Sequence, residues 1–354
     1  MLSFPLFKQA FQGLPMSWEY HPADQCFAAE AQNWDALNRA CFNHILMDSR
    51  FVGASLRCFG RDQVLMGTLE NSPFSGMALL YKSGPGIWQT FQPAQAPLGL
   101  LILGKNQDIQ KTMMDLLSSL PGPAAQLGVL QQDPDFSHFS DIASGPLVEL
   151  LDYIQTPRLF ISGSFEDYWN SRSKNLKHNL TRQRKRLAEQ GRRLDLLVHR
   201  DSQDVQGAVR EFGQLESKGW KGQEGTAIEE SNPQGRFYRE VLESFCATGE
   251  GLIYQLLLDG KVVASDLCLV RNGMLVVLKT AYDETIEKVS PALLMRQDIL
   301  QTLFEERRIA VVEFYGKVLD WHLKWTDQVR NMYHINFFRN TLVARLRGLV
   351  KSFR

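Results

Sequence analysis

The chain has 354 residues, 44% of them hydrophobic and 22% charged, with 39 basic and 39 acidic side chains. That length accommodates two cores of ordinary size, and the composition excludes a disordered, collagen-like or coiled-coil chain. The best apolar run, 98–103, stops at Gly104, short of the ~20 residues a membrane helix needs.

The first fifteen residues lack a basic start and a sustained apolar core, so a cytoplasmic protein with no membrane insertion is expected. Five cysteines (Cys26, Cys41, Cys58, Cys246, Cys268) form no C-x-x-C pair, which suits reduced, packed thiols and gives no metal site and no cysteine nucleophile. Residues 1–160 alternate short apolar runs with Gly, Pro and Ser breaks. A strand-like run at 98–103, a helical stretch at 108–120 and a second short apolar run after Pro121-Gly122-Pro123 read as α/β.

From Ser164 the signals sharpen. Ser164 followed by Glu166 and Asp167 reads as an N-cap, and Trp169, Leu176, Leu180 and Leu187 form one apolar stripe of a helix over 165–190 that stops at Gly191. Residues 172–193 hold nine Lys or Arg against Glu189 alone, a net +8, which leaves −8 on the rest of the chain. Such a patch is either a solvated helix face or a surface for phosphates. A strand at 194–199, a helix at 201–218, a Gly-rich loop carrying Trp220, Lys221 and Glu224, and a helix at 236–247 follow. Strands at 252–258, 262–270 and 274–281 are joined by Asp259-Gly260 and Asn272-Gly273, the dipeptides that tight hairpins favour. Ser290-Pro291 opens a helix running to 307, and a strand at 309–315 completes a strand-helix-strand crossover, so the sheet is mixed. Trp321 and Trp325, four apart, fall on one face of the helical stretch that comes next.

A parallel strand pair leaves a crevice at its carboxyl ends, capped by the N-terminus of the crossover helix. Amides near 292–294 would face it and favour an anion such as a pyrophosphate or phosphodiester.

This order of elements, together with the basic helix 171–191, the segment LESKGWKGQEGTAI (215–228), LKTAYDE (278–284), SPALLMR (290–296) and Lys324-Trp325, resembles the GNAT acyltransferase superfamily. It looks closest to the CelD-like branch of cellulose and exopolysaccharide biosynthesis, related to the FemAB aminoacyltransferases. The resemblance implies tandem GNAT-like halves, a degenerate one at 1–160 and an acyltransferase domain at 161–354. It further implies an N-acyltransferase that moves an acyl group from acyl-CoA to an amine of a sugar or related small metabolite, with polysaccharide-synthesis proteins as partners. On that chemistry Glu313 or Asp283 is the base and Tyr282 or Tyr315 the leaving-group acid. Backbone amides of Lys279, Thr280 and Ala281 stabilise the oxyanion, and Lys288, Ser290, Ala292, Leu293, Leu294 and Lys324 hold the donor. Trp220, Lys221 and Trp321 border the acceptor. Two alternatives stay open: a FemAB-like transferase using aminoacyl-tRNA gripped by the basic helix, and a GNAT-shaped interaction protein without catalysis. The chain departs from the family where a glycine-rich turn is expected, because Lys288-Val289-Ser290-Pro291-Ala292-Leu293 contains no glycine.

Overall fold

The computed structural model describes residues 17–60, 64–69, 75–105, 107–218 and 227–352. The first half runs β1 (Trp18–Pro22), α1 (Ala23–Cys41), α2 (Ser49–Phe59), β2 (Leu65–Leu69), β3 (Gly76–Gly84), β4 (Ile87–Thr90), β5 (Leu101–Leu103), α3 (Ile109–Ser119), β6 (Gln126–Gln132) and β7 (Val148–Phe160). The second runs α4 (Phe165–Ser171), α5 (Lys174–Glu189), β8 (Leu194–His199), α6 (Ser202–Lys218), α7 (Pro233–Cys246), β9 (Gly251–Leu258), β10 (Lys261–Arg271), β11 (Met274–Tyr282), α8 (Pro291–Glu306), β12 (Val311–Glu313), α9 (Asp320–Leu323), β13 (Val329–Phe338) and α10 (Thr341–Ser352).

The strands join one mixed sheet in the order β1-β2-β3-β4-β6-β13-β7-β12-β11-β10-β9-β8, with β5 on β3. One series recurs in both halves: a strand, two helices, an antiparallel meander, a crossover helix, and a strand parallel to the last of the meander. It spans β1 to β6 with α3 as crossover, and β8 to β12 with α8. The strand that follows each series is exchanged between halves, β7 pairing with β12 and β13 with β6. These two also pair with each other along most of their length. The expected boundary near 160 therefore coincides with the end of β7, while β13, far down the chain, is built into the sheet of the first half.

The readable signals act locally as their chemistry requires. Asp259 and Asn272 adopt φ of 53° and 52°, with Gly260 and Gly273 following at 78° and 73°, the geometry of tight hairpin turns. Along β10, Leu267 and Leu269 enter the core beneath α1, α2, α6 and α7, while Cys268 between them enters the core beneath α5 and α8, as a strand's alternation dictates. The helix expected at 165–190 is two helices. Ser173 accepts the Leu176 N–H and caps α5, while the Arg172 N–H closes α4 on the Trp169 carbonyl. A serine hydroxyl offers the backbone this alternative to a continuous helix. The strand expected at 309–315 keeps only Val311–Glu313, and Tyr315 beyond it turns into the left-handed region at φ 50°. The tryptophans do not share a helix face: α9 ends at Leu323, and Trp325 lies buried against Trp169.

Helix α8 ends on Arg307 at φ 53°, its N–H bonded to the Leu303 carbonyl, a position that glycine occupies without strain. Arg307→Gly is expected to raise stability by about 0.5–1 kcal/mol, read as a higher urea midpoint at unchanged slope.

Candidate active site

Strands β11 and β12 pair in parallel only where Met274–Val276 meets Val311–Glu313. Beyond Val276, β11 bulges against β10 opposite Leu267 and Cys268 and runs on to Tyr282, leaving its β12 side without a strand partner. The wedge so opened is a cavity of about 760 Å³, lined by Thr280–Glu284 of β11 and its exit, Val289, Ser290, Ala292, Leu293 and Arg296 around the start of α8, Leu215 and Glu216 of α6, and Leu319, Trp321 and Lys324.

The start of α8 is open toward it. Pro291 contributes no N–H, and the Ser290 hydroxyl makes no cap bond to its own helix. Instead the Ser290 N–H donates to Gln183 Oε1 at 2.7 Å, and Gln183 Nε2 donates to Ser290 Oγ at 3.3 Å. Arg186 donates to the Lys288 carbonyl, and Arg184 pairs with Asp298 while donating to the Leu294 carbonyl at 3.3 Å. Helix α5 thus clamps the turn in which Lys288 stands at φ 59°. The matching crossover helix of the first half, α3, starts on Asp108, whose carboxylate accepts the Lys111 N–H. An acid there repels the anions that an uncapped start attracts.

This clamping accounts for much of the basic patch. Arg192 pairs with Asp259, Arg193 with Asp195, Lys185 with Glu189, and Arg172 with Asp327 and the Trp325 carbonyl. Among the described residues, Lys174 and Arg182 are the members of the run whose charges meet neither an acid nor a backbone carbonyl.

The cavity carboxylates are individually tethered. Burial works against ionised Asp283, but the Lys218 ammonium at 2.8 Å and the Thr285 hydroxyl and N–H hold it below the usual carboxylate range. Glu216 pairs with Lys279 at 2.9 Å and accepts the Ile228 N–H. Burial and the neighbouring Glu284 push the Tyr282 hydroxyl above its ordinary value, so it stays protonated. At the floor Arg296, 2% exposed, lies 2.6 Å from Asp266, which also accepts from the Thr280 hydroxyl at 2.6 Å. The contact is close but off-axis, leaving Arg296 Nε and Asp266 Oδ2 without a directed hydrogen bond. Burial raises the Asp266 carboxyl, and Arg296 offsets only part of that rise.

Nine of the residues expected from sequence meet in this cavity: Thr280, Ala281, Tyr282, Asp283, Ser290, Ala292, Leu293, Trp321 and Lys324. Lys279 points to Glu216 and Lys288 lends its carbonyl to Arg186, while Leu294 is fully buried under α8; none of the three lines the cavity. Trp220 and Lys221 fall outside the described residues. Glu313 and Tyr315 also lie away from it. Strand alternation puts Val312 under α8 and sends Glu313 to the opposite face of the sheet.

There Arg330 donates to Asp133 at 3.0 and 2.5 Å and to Glu313 at 2.7 Å. Burial, opposed by Arg330, pushes Glu313 up to about 7. Leu46 N–H donates to Nδ1 of His44, so Nε2 carries the proton toward the Tyr315 hydroxyl at 2.7 Å, and that hydroxyl donates to Asp133. Burial lowers His44 to about 4, keeping it neutral.

Sequence reading missed Glu216, Asp266 and Arg296. Each was signalled by a charge in an apolar register: Glu216 completes the stripe Val205, Val209, Phe212 of α6, Arg296 stands four before Leu300, and Asp266 interrupts the run of β10.

Among the described residues no three His, Cys, Asp or Glu side chains stand together as metal ligands, and no helix is long and apolar enough to cross a membrane. No curated protein matches the chain. In fold it is similar to the C-terminal domain of a putative lysylphosphatidylglycerol synthetase from Agrobacterium fabrum, at 11% identity and a TM-score of 0.57 over 92% of this chain and 97% of that one. Similar too are L-PGS from Bacillus licheniformis (11% identity, TM-score 0.53, 88% and 95% covered) and FemX (10%, 0.52, 89% and 98%). Residues 174–322 match the family model of the acetyltransferase (GNAT) domain. The open-started crossover helix and the splayed strand pair both lie within that match, so this segment has the GNAT fold, and the chain as a whole is similar in fold to FemX.

Proposed function

We propose that this protein is an N-acyltransferase that takes an acyl group from acyl-CoA and delivers it to the amine of a small acceptor such as an amino sugar. The observation that carries this reading is the wedge where β11 leaves β12, ending at the uncapped start of α8. The Leu293 and Leu294 amides already donate to the Ser290 carbonyl, so a pyrophosphate would meet the Ala292 N–H and the helix dipole, with Lys324 also lining the cavity. The partnerless edge of β11 offers main-chain groups to an extended amide-bearing arm.

In the reaction the amine nitrogen attacks the thioester carbonyl, the carbon–sulfur bond breaks and the thiolate takes up a proton. Asp283, ionised at neutral pH, receives the amine proton directly or through water, and protonated Tyr282 supplies the one the thiolate needs. Main-chain amides near Thr280 and Ala281 steady the oxyanion.

Calorimetry with CoA and acetyl-CoA tests this reading, with micromolar dissociation constants expected. Ala292→Glu places a carboxylate in the first turn of α8, where it favours the helix but repels a pyrophosphate. A loss of about tenfold or more in CoA affinity at unchanged Tm is expected. No measurable CoA affinity in the parent protein overturns the reading.

A second reading, transfer from aminoacyl-tRNA, draws on exposed Lys174 and Arg182 of α5. It predicts binding that weakens steeply with salt, in proportion to the phosphates neutralised, whereas a CoA pocket gives a shallow slope.

A further inference from the structure

An apolar collar stands at the mouth of the cavity. Leu319 is 52% exposed and Leu323, one turn on, 48%; Tyr282 is 42% exposed. A single apolar side chain in water needs no explanation, but Leu319 and Tyr282 line the same cavity and Leu323 stands one turn on from Leu319. Behind them the wall continues apolar through Val289, Leu293 and Trp321, and Trp321 is held in place by stacking on His322 and by an edge contact with Phe314. Burial lowers His322 to about 4, so the ring against which Trp321 stacks is neutral at neutral pH. The carboxylates of the lining are already paired, Asp283 with Lys218 and Glu216 with Lys279. An acetyl group and a wholly polar acceptor would leave the collar in water.

We infer that one of the two substrates carries an aliphatic chain that lies along Leu293, Trp321 and Leu319 and is covered at the rim by Leu323 and Tyr282. This rests on the acyltransferase reading for the identity of the site and adds the chemical class of what fills it. Two sources supply such a chain: the acyl group of the donor, or an alkyl body bearing the acceptor amine.

Two calorimetric series separate the sources: acetyl-, hexanoyl- and dodecanoyl-CoA, and ethyl-, hexyl- and dodecylamine, all below their micelle concentrations. Affinity should climb with chain length in one series, by at most about fourfold per methylene for complete burial. Leu319→Ser, at a half-exposed position that the fold does not depend on, should flatten the climb within that series. A climb in the CoA series assigns the chain to the donor, and a climb in the amine series assigns it to the acceptor. No climb in either series overturns the inference while CoA binding leaves the acyltransferase reading standing. A climb that Leu319→Ser leaves intact reports adsorption elsewhere and overturns the inference too. Absent CoA affinity overturns the acyltransferase reading, while a climbing amine series that Leu319→Ser flattens still supports an aliphatic ligand at this collar.

Discussion

Replacing Arg330 by methionine is expected to cost about 3–5 kcal/mol of stability at pH 8, because it strips the forked cation from two buried carboxylates. Asp133 would keep the Tyr315 hydroxyl and the Asp135 N–H but no counter-charge from that fork. Glu313 would lose the main influence that opposes its burial, so its carboxyl would climb further above 7. The sign of the pH dependence follows. A carboxyl whose folded pKa exceeds its unfolded value of 4.5 contributes stability that is complete below 4.5 and fades as pH rises through the folded pKa. In the parent that loss is spread between pH 4.5 and about 7; in the variant it extends higher, so the gap in urea midpoint should widen from pH 6 to pH 9. Arg330→Lys should fall between the two, since an ammonium cannot fork across two carboxylates. An Arg330→Met midpoint indistinguishable from the parent at pH 8 would mean that water reaches the acids.

The consequence reaches across the molecule because this cluster draws on both halves. His44 follows α1, Asp133 follows β6, Glu313 ends β12 and Arg330 lies on the exchanged strand β13. Nothing in local sequence announces that exchange. The hairpins at Asp259-Gly260 and Asn272-Gly273, the caps at Ser164 and the crossover into Val311 were legible because each depends on residues a few positions apart. The destination of β13 depends on which partner strand two distant segments offer, and no periodicity encodes it. The same limit governed the site. Asp283, Ser290 and Lys324 could be placed at the cavity from sequence because they border a turn or a helix start. Glu313 was mis-aimed because a three-residue strand gives no clear phase for its alternation, and an acid among valines and aromatics reads equally well as a cavity base or as half of a buried ion pair. Its apolar neighbours did correctly foretell a raised pKa, and Arg330, seventeen residues away, decides what that pKa serves. The basic run was legible as charge but not as contact: Arg184 and Arg186 are spent on holding the start of α8, a use visible only once α5 lies against it.

The other large effect is expected at the floor of the cavity. Arg296→Met removes the partner of fully buried Asp266 and should lower stability by about 3–5 kcal/mol at pH 8. Asp266 is already raised by its burial, so without Arg296 it will take up a proton in the folded state, and the penalty should shrink as pH falls toward 5. Asp266→Asn paired with Arg296→Met leaves no buried charge and keeps an acceptor for the Thr280 hydroxyl, so the double variant should recover most of the loss. A double-mutant cycle then reads a coupling of about 2–3 kcal/mol, against near zero if the pair were solvated. The same proteins separate a prop from a ligand contact. Arg296 lines the wedge, and its Nε, which lacks a directed partner, is closed off from solvent and would reach a ligand only if the side chain turned. If the double variant regains stability and binds CoA as the parent does, the arginine serves the sheet and helix alone. If stability returns but acyl-CoA affinity does not, that spare donor belongs to the substrate.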